Sequence, residues 1–192
     1  MSKVCSESTG DFYQHYPKIA VILTVSAGDK KNAMAVAWHS PVSFSPPLYG
    51  VSISPKRFSY QLILESKEFG INFVPFEASE LVAAVGGSKG AEVDKFQKFG
   101  IIEEKSLKTS APVLKDAYTA YECKLVKNET YGDHVWVVGE IVAVHCEDSV
   151  FTANGALDLT KLNPSLYLGA DLYATTNKGS AKSLERQVYG QR

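Results

Sequence analysis

Residues 32–59, NAMAVAWHSPVSFSPPLYGVSISPKRFS, restrict the fold of this chain more than any other stretch. They begin with an alternation that puts Met34, Val36 and Trp38 on one side of an extended strand and Ala33, Ala35 and Ala37 on the other. One side is bulky enough to fill a core. The other is nearly bare, so a flat ligand could lie close to the backbone there. Pro41 and the pair Pro46-Pro47 then interrupt the ladder, because proline has no N–H to donate and a fixed φ. A second strand is expected over 48–54, and Pro55-Lys56-Arg57 leads into a short helix over 59–67 capped near Ser59. A cationic turn beside a hydroxyl at a helix start suits a phosphate: free N–H groups, the helix dipole and the Arg57 charge all favour an anion. A flat wall and a phosphate end in one stretch fit a nucleotide-like cofactor. A buried strand, a proline turn and an ordinary capped helix account for the same residues.

Apolar alternation also predicts a strand over 18–27, with Ile19, Val21, Leu23 and Val25 on one face. A turn over 28–32 returns it into a strand over 33–40. A further strand follows at 69–74, then helices over 77–85 and 91–99 that stop at Gly86-Gly87 and Gly100. Residues 101–112 read as irregular. The strongest β signal is the pair 118–127 and 134–146, joined by the turn-rich NETYGD. A loop over 147–163 with a short helical turn precedes a last piece over 166–173. Six or seven strands with helices inserted in the middle lack the βαβ alternation of a doubly wound sheet. They favour a mainly β chain, an antiparallel Greek-key barrel decorated by helices. One domain is expected over 1–173. Residues 174–192 form a polar tail with Lys178, Lys182, Arg186 and Arg192 against Glu185 alone.

Composition narrows the function classes. The 192 residues can bury a real core. A net charge of −1 with no basic run gives no support to nucleic-acid binding. No apolar run approaches the roughly 20 residues of a membrane span. The opening MSKVCSESTGDFY lacks a signal-peptide pattern, so a cytoplasmic protein is expected. Cys5, Cys123 and Cys146 imply no disulfide framework, and Cys123 and Cys146 read as buried, inert thiols in strand interiors. The histidines His15, His39, His134 and His145 never occur at i, i+4 spacing, so no metal site is expected. The cluster GGSKG (86–90) follows a helix and does not link a strand to one; it reads as a helix stop with an exposed lysine. His134 opens a long strand just after Gly132-Asp133, at a barrel rim. It could hydrogen-bond a ligand there or be an exposed turn histidine.

Four patterns follow one another in order: N-x-M-x-x-A-W-x-x-P-V-S-F-x-P-P from Asn32, S-P-x-R-x-S-x-x-L-I from Ser54, F-G-I-N-F-V from Phe69 and G-D-H-x-x-x-x-G-E-I from Gly132. Together they resemble the flavin reductase-like family, whose fold is an FMN-binding split β-barrel and which includes flavoredoxins and ferric reductases. The resemblance covers roughly residues 12–173. It implies non-covalent FMN, a homodimer and a site near the subunit interface. Asn32 and Trp38 would contact the flavin, Ser59 and Lys95 would hold its phosphate with added charge from Arg57, and His134 and Tyr167 would meet the cofactor as well. With Ala35 and Ala37 of the bare face and Ser54 of the second motif, these make the expected cofactor-binding set. Ser59 stands where Thr is often found, and Tyr167 where Phe can occur. No catalytic side chain is expected, since the flavin carries the chemistry. The implied activity passes electrons from NAD(P)H through FMN to an acceptor: ferric chelate, free flavin or a redox protein. The alternatives are a flavoredoxin-like electron carrier with little direct NAD(P)H turnover, or a split barrel that has lost flavin and binds another ligand.

Overall fold

The computed structural model describes residues 2–190. In chain order these form β1 (Lys18–Ile19), β2 (Val21–Ala27), β3 (Lys30–Val36), β4 (His39–Phe44), β5 (Pro47–Ile53), α1 (Phe58–Ser66) and β6 (Glu68–Phe73). There follow α2 (Ser79–Gly87), α3 (Lys95–Phe99), β7 (Glu103–Glu104), β8 (Val113–Leu114), β9 (Thr119–Tyr131), β10 (His134–Cys146), β11 (Leu166–Gly169), β12 (Leu172–Ala174) and α4 (Arg186–Tyr189). Seven strands make the main antiparallel sheet in the order β3-β2-β6-β9-β10-β5-β4. Its two edges, β3 and β4, are joined by Ala37 and Trp38 alone, so the sheet must curl until its edges meet. The Ser52 N–H donates to the Trp38 carbonyl at 2.8 Å, which extends the β4–β5 ladder back to that corner. This is the split-barrel closure expected from the sequence.

Inward-facing residues of alternate positions fill the barrel: Val21, Leu23 and Val25 from β2, Val51 and Ile53 from β5, Phe69 and Ile71 from β6, and Val137 from β10. Leu62 and Ile63 bring α1 into the same cluster. Each such side chain, removed from water, contributes about 1.5–3 kcal/mol. A second cluster lies outside the barrel wall, where Ala20, Ile22 and Ala33 meet Val82 and Val85 of α2 and Phe96 of α3. The alanine face of β3 is therefore bare for a reason that differs in part from the expected one. Ala33 is fully buried beneath the helices, and the face opens only from Ala35 onward.

Several boundaries differ from the sequence expectation. The 18–27 strand breaks at Ala20, whose N–H donates to the Ser165 carbonyl at 2.9 Å; β1 pairs with β11 while β2 enters the barrel. The hairpin after β2 turns on Gly28 and Asp29 alone, with Gly28 at φ 59°, so β3 starts at Lys30; it ends at Val36 because Trp38 lies on the corner. Pro41 sits within β4 and does not end the ladder. It occupies an edge strand beside a bulge between Pro41 and Ser43, where a missing N–H is tolerated. Helix α1 starts at Phe58 with Arg57 as its cap residue, so Ser59 lies inside the first turn. Helix α3 is only five residues long because the Asp94 carboxylate accepts the Gln97 N–H and starts it there. The irregular 101–112 segment contains β7, paired with β8. NETYGD is mostly strand, with its turn confined to Gly132 and Asp133. Cys123 is buried, its thiol pushed up to about 12 by burial, but Cys146 is exposed at the end of β10, contrary to expectation. In the tail the chain forms a short 3-10 turn over Lys178–Ser180 and then α4; Arg192 lies outside the described residues. No helix of the described residues is long and apolar enough to cross a membrane.

Candidate functional site

A cleft of about 1030 Å³ runs between the outer face of β3, the N-terminal end of α1, the C-terminal end of α2 and the start of β10. All ten residues singled out from the sequence line it: Asn32, Ala35, Ala37, Trp38, Ser54, Arg57, Ser59, Lys95, His134 and Tyr167. The barrel brings them together because β3, the β5–α1 junction and the β9–β10 turn meet at one end of the barrel.

The floor of one end is polar and buried. The Asn32 carboxamide donates to Ser59 Oγ at 2.8 Å, while its own oxygen is buried and accepts nothing. Gly90 lies directly over that carboxamide; a Cβ there would collide with it, so only glycine lets the 88–91 segment close down. Ser59 is thus a buried partner of Asn32 and not the helix cap, and no side chain caps α1. The Tyr60 N–H closes onto the Arg57 carbonyl at 3.0 Å, and the Phe58 and Ser59 N–H groups, with no partner among the described residues, are left for a ligand or water.

Lys95 is 2% exposed, and its ammonium donates to the carbonyls of Ala33 at 2.9 Å and Val85 at 2.6 Å. No carboxylate pairs with it among the described residues. Burial, then the nearby Arg57 guanidinium, lower it from an ordinary 10.5 to about 8. Along the whole cleft Lys56, Arg57, Lys89 and Lys95 face a single acidic residue, Asp171. Lys89 itself is exposed and paired with Glu92 at 3.1 Å.

The other end is aromatic. The Trp38 ring lies 5.0 Å from that of His134, and its indole N–H donates to Tyr16 Oη at 3.0 Å. Tyr16 meets Tyr167 edge-on at 5.3 Å, and Tyr167 in turn meets Tyr173 at 5.3 Å. His134 Nδ1 is engaged by the Asp133 carboxylate at 2.8 Å. Its Nε2 has no protein partner among the described residues.

An orphaned buried carbonyl oxygen, an uncapped helix start, three cations (Lys56, Arg57 and Lys95) with no ion-pair partner among the described residues, and a flat alanine wall beside aromatic rings fit one kind of ligand. It is planar at one end and carries an anion, such as a phosphate, at the other.

The family profile of the flavin reductase like domain matches residues 13–174. The chain belongs to the flavin reductase-like family. An uncharacterised protein of Archaeoglobus fulgidus is 36% identical over 129 residues, which cover 67% of this chain and 72% of that one. An FMN-binding protein of Thermus thermophilus, solved with bound 1-cyclohex-2-enone, superposes with a TM-score of 0.85 at 33% identity, covering 95% of this chain and 99% of the other. A flavoredoxin of Methanosarcina acetivorans gives a TM-score of 0.81 at 26% identity, covering 96% and 97%.

Sequence reasoning missed three parts of this flavin reductase-like cleft. Tyr16 and Tyr173 reach it from segments far away in sequence, with no local pattern to mark them. The 86–90 cluster does end a helix, but it also forms a wall of the cleft. The short gap between its glycines and the capping Asp94 was the available signal.

Proposed function

We propose that this protein binds FMN non-covalently in the cleft and passes electrons from NAD(P)H to an acceptor: a ferric chelate, free flavin or a redox protein. The observation that carries the reading is Lys95, a buried ammonium with two carbonyl partners and no counter-ion among the described residues. A charge so placed calls for an anion from outside the chain. Lys95, Arg57, Ser59 and the open start of α1 would hold the phosphate. Asn32 would offer its spare oxygen to a ligand hydroxyl or N–H. Ala35 and Ala37 would form the flat wall, with Ser54 at the β5–α1 junction, and Trp38, His134 and Tyr167 would flank the ring end. When bound, the flavin supplies hydride acceptance from a reduced nicotinamide and electron release to the acceptor. The protein's own part is to bind, orient and keep water away. Asp133 fixes the His134 ring so that its free Nε2 can stabilise negative charge on the ligand. No side chain need transfer a proton. We further assign residues 1–173 to one domain and 174–192 to a tail, and the working unit to a homodimer.

The test is a visible absorption spectrum of the purified protein, before and after anaerobic NADH or NADPH. A bound-flavin spectrum that bleaches rapidly supports the reductase. A colourless protein that takes up no added FMN overturns the cofactor assignment. Likeness to the Methanosarcina flavoredoxin favours a second reading, an electron carrier. Slow bleaching by either nicotinamide, with fast reduction by a low-potential protein donor, would select it.

A further inference from the structure

The three cysteines meet three different surroundings. Cys5 is exposed on the N-terminal segment, where no strand or helix forms, and Cys123 is buried with its thiol pushed up to about 12. Cys146, at the end of β10, is exposed at the wall of a second cavity of about 560 Å³, which shares no lining residue with the first cleft. Two cross-strand pairs form its floor. Cys146 lies opposite Thr119 and Val144 opposite Tyr121, so all four side chains leave the sheet on one face. His145, whose Nε2 bonds the Glu122 carboxylate, belongs to the other face.

The Thr119 hydroxyl adds an independent sign of a ligand. Thr119 is 9% exposed, and its Oγ1 is buried with no hydrogen-bond partner among the described residues. A buried polar group left without a partner costs about 1–3 kcal/mol, so a ligand atom that bonds it is favoured. The outer wall is built in advance. Phe151 and Leu157 form a β-bridge, the Thr152 N–H donates to the Ala156 carbonyl at 2.8 Å, and the turn between them holds Gly155 at φ 76°. Phe151 and Tyr121 give the cavity apolar ring surface. Exposed Asp148 also lines it, and no cation among the described residues pairs with that carboxylate. Lys161, from the turn that follows, is directed instead at the Ser149 carbonyl at 2.8 Å and at Asp158.

We propose that this cavity is a second site, which takes a short aliphatic disulfide carrying an ammonium group (an aminothiol disulfide) and keeps one half of it as a mixed disulfide on Cys146. The Cys146 thiolate attacks one sulfur. The new S–S bond forms as the S–S bond of the incoming molecule breaks, and the departing thiolate takes up the proton that Cys146 gave up. The incoming disulfide is the oxidant, so no electron comes from the flavin cleft. Its methylene groups rest on Tyr121 and Phe151, its ammonium faces Asp148, and the Thr119 hydroxyl donates to the leaving sulfur as negative charge develops there. The site is independent of the flavin assignment, and the failure of either leaves the other standing.

The test treats the full chain with cystamine or with dithiodiglycolate, a disulfide of similar length with carboxylates in place of ammonium groups. Adducts are followed by intact mass and assigned by peptide mapping. Cys5 of the same chain is the reference for an exposed thiol without a cavity. With cystamine, Cys146 should react about tenfold faster than Cys5. The ratio of cystamine to dithiodiglycolate rates should be about tenfold larger at Cys146 than at Cys5. Thr119→Val keeps the shape and deletes the hydroxyl; it should slow Cys146 about fivefold and leave Cys5 unchanged. Asp148→Asn should cut the charge preference at Cys146 to about a third, and it decides the matter if Thr119→Val does not fold. Equal cystamine rates at the two cysteines would show an exposed thiol only and overturn the proposal. A charge preference no greater at Cys146 than at Cys5 would overturn it too, as would a folded Thr119→Val with an unchanged Cys146 rate or an Asp148→Asn that keeps the full preference.

Discussion

Two charged side chains lie buried among the described residues, and they are treated in opposite ways. Glu122 on β9 is 0% exposed. Its carboxylate accepts the N–H groups of Leu107 at 2.7 Å, Lys108 at 2.8 Å and Thr109 at 2.7 Å, the Thr109 hydroxyl at 2.9 Å, and His145 Nε2 at 2.7 Å. Burial alone would raise its pKa, yet these donors hold it at about 2. Lys95 is as deeply buried, but it meets two carbonyls and no carboxylate and falls to about 8. Against ordinary values of 4.5 and 10.5, each displacement corresponds to about 3 kcal/mol, with opposite effects on the fold at neutral pH. Ionised Glu122 stabilises the fold, because the chain has completed its shell. Ionised Lys95 costs about as much, because its shell is unfinished. The difference separates a structural anchor from the proposed ligand site without reference to any relative.

The largest expected effect breaks the anchor. Glu122→Gln sets an NH₂ group against donors that need an acceptor, and urea unfolding should lose about 3 kcal/mol. FMN affinity should stay within about twofold. A loss under about 1 kcal/mol would mean that the 107–109 loop simply rearranges around the change. Next is Lys95→Met, which removes the unpaired charge and keeps the stem. Flavin-free stability should hold or rise by about 1 kcal/mol, while the FMN Kd rises about 30-fold, as expected for one charge-assisted hydrogen bond. If stability falls and FMN affinity does not, Lys95 is a structural brace between α3, β3 and α2, and the contrast with Glu122 disappears.

The two charges also separate on a pH axis. Glu122 has a depressed folded pKa, so its contribution is fully present above about 4.5 and is lost as pH falls toward about 2. Wild type should therefore lose stability in acid over that window, and Glu122→Gln should lose markedly less. Lys95 has a lowered pKa, so its penalty is fully present below about 8 and disappears as pH rises toward 10.5. On the proposed reading the same proton attracts the phosphate. FMN affinity, read by quenching of flavin fluorescence, should weaken as pH rises through about 8, and Lys95→Met should flatten that limb. A flat wild-type profile between pH 7 and 9 would detach Lys95 from the anion.

The sequence was legible where neighbours in the chain are also neighbours in space. Alternation in 33–36 and 69–73, and the two long runs that became β9 and β10, expose the antiparallel barrel because strand periodicity is local. The Ser54–Ser59 segment reads as an anion turn for the same reason. What stayed hidden depends on distant partners. Nothing around Glu122 in YECKL reveals that a loop thirteen residues earlier will surround its carboxylate. Tyr16 gains its place through the distant Trp38 and Tyr167, and through Tyr13, which packs on Gly169. The break at Ala20 exists because the Ser165 carbonyl, from the far end of the chain, takes its N–H. Ser59 shows both sides. Its closeness to a helix start was visible, but its true partner, Asn32, lies on another strand.

That pair gives the smallest and most discriminating prediction. Among the described residues Ser59 Oγ is the only hydrogen-bond partner of the Asn32 carboxamide, whose oxygen accepts no hydrogen bond and on the proposed reading serves the ligand. Ser59→Ala should cost about 1 kcal/mol in stability and weaken FMN about threefold to fivefold, by freeing a buried amide to turn and by removing one hydroxyl. Ser59→Thr keeps the oxygen and adds a methyl group, and should stay near wild type. If Ser59→Ala matched the 30-fold loss expected of Lys95→Met, the hydroxyl network and not the buried charge would be the centre of the anion end. If it changed neither stability nor affinity, the Asn32 amide would be held by the packing of Gly90 alone. Only a small loss, rescued by threonine, leaves Lys95 as the unfinished charge on which the cleft depends.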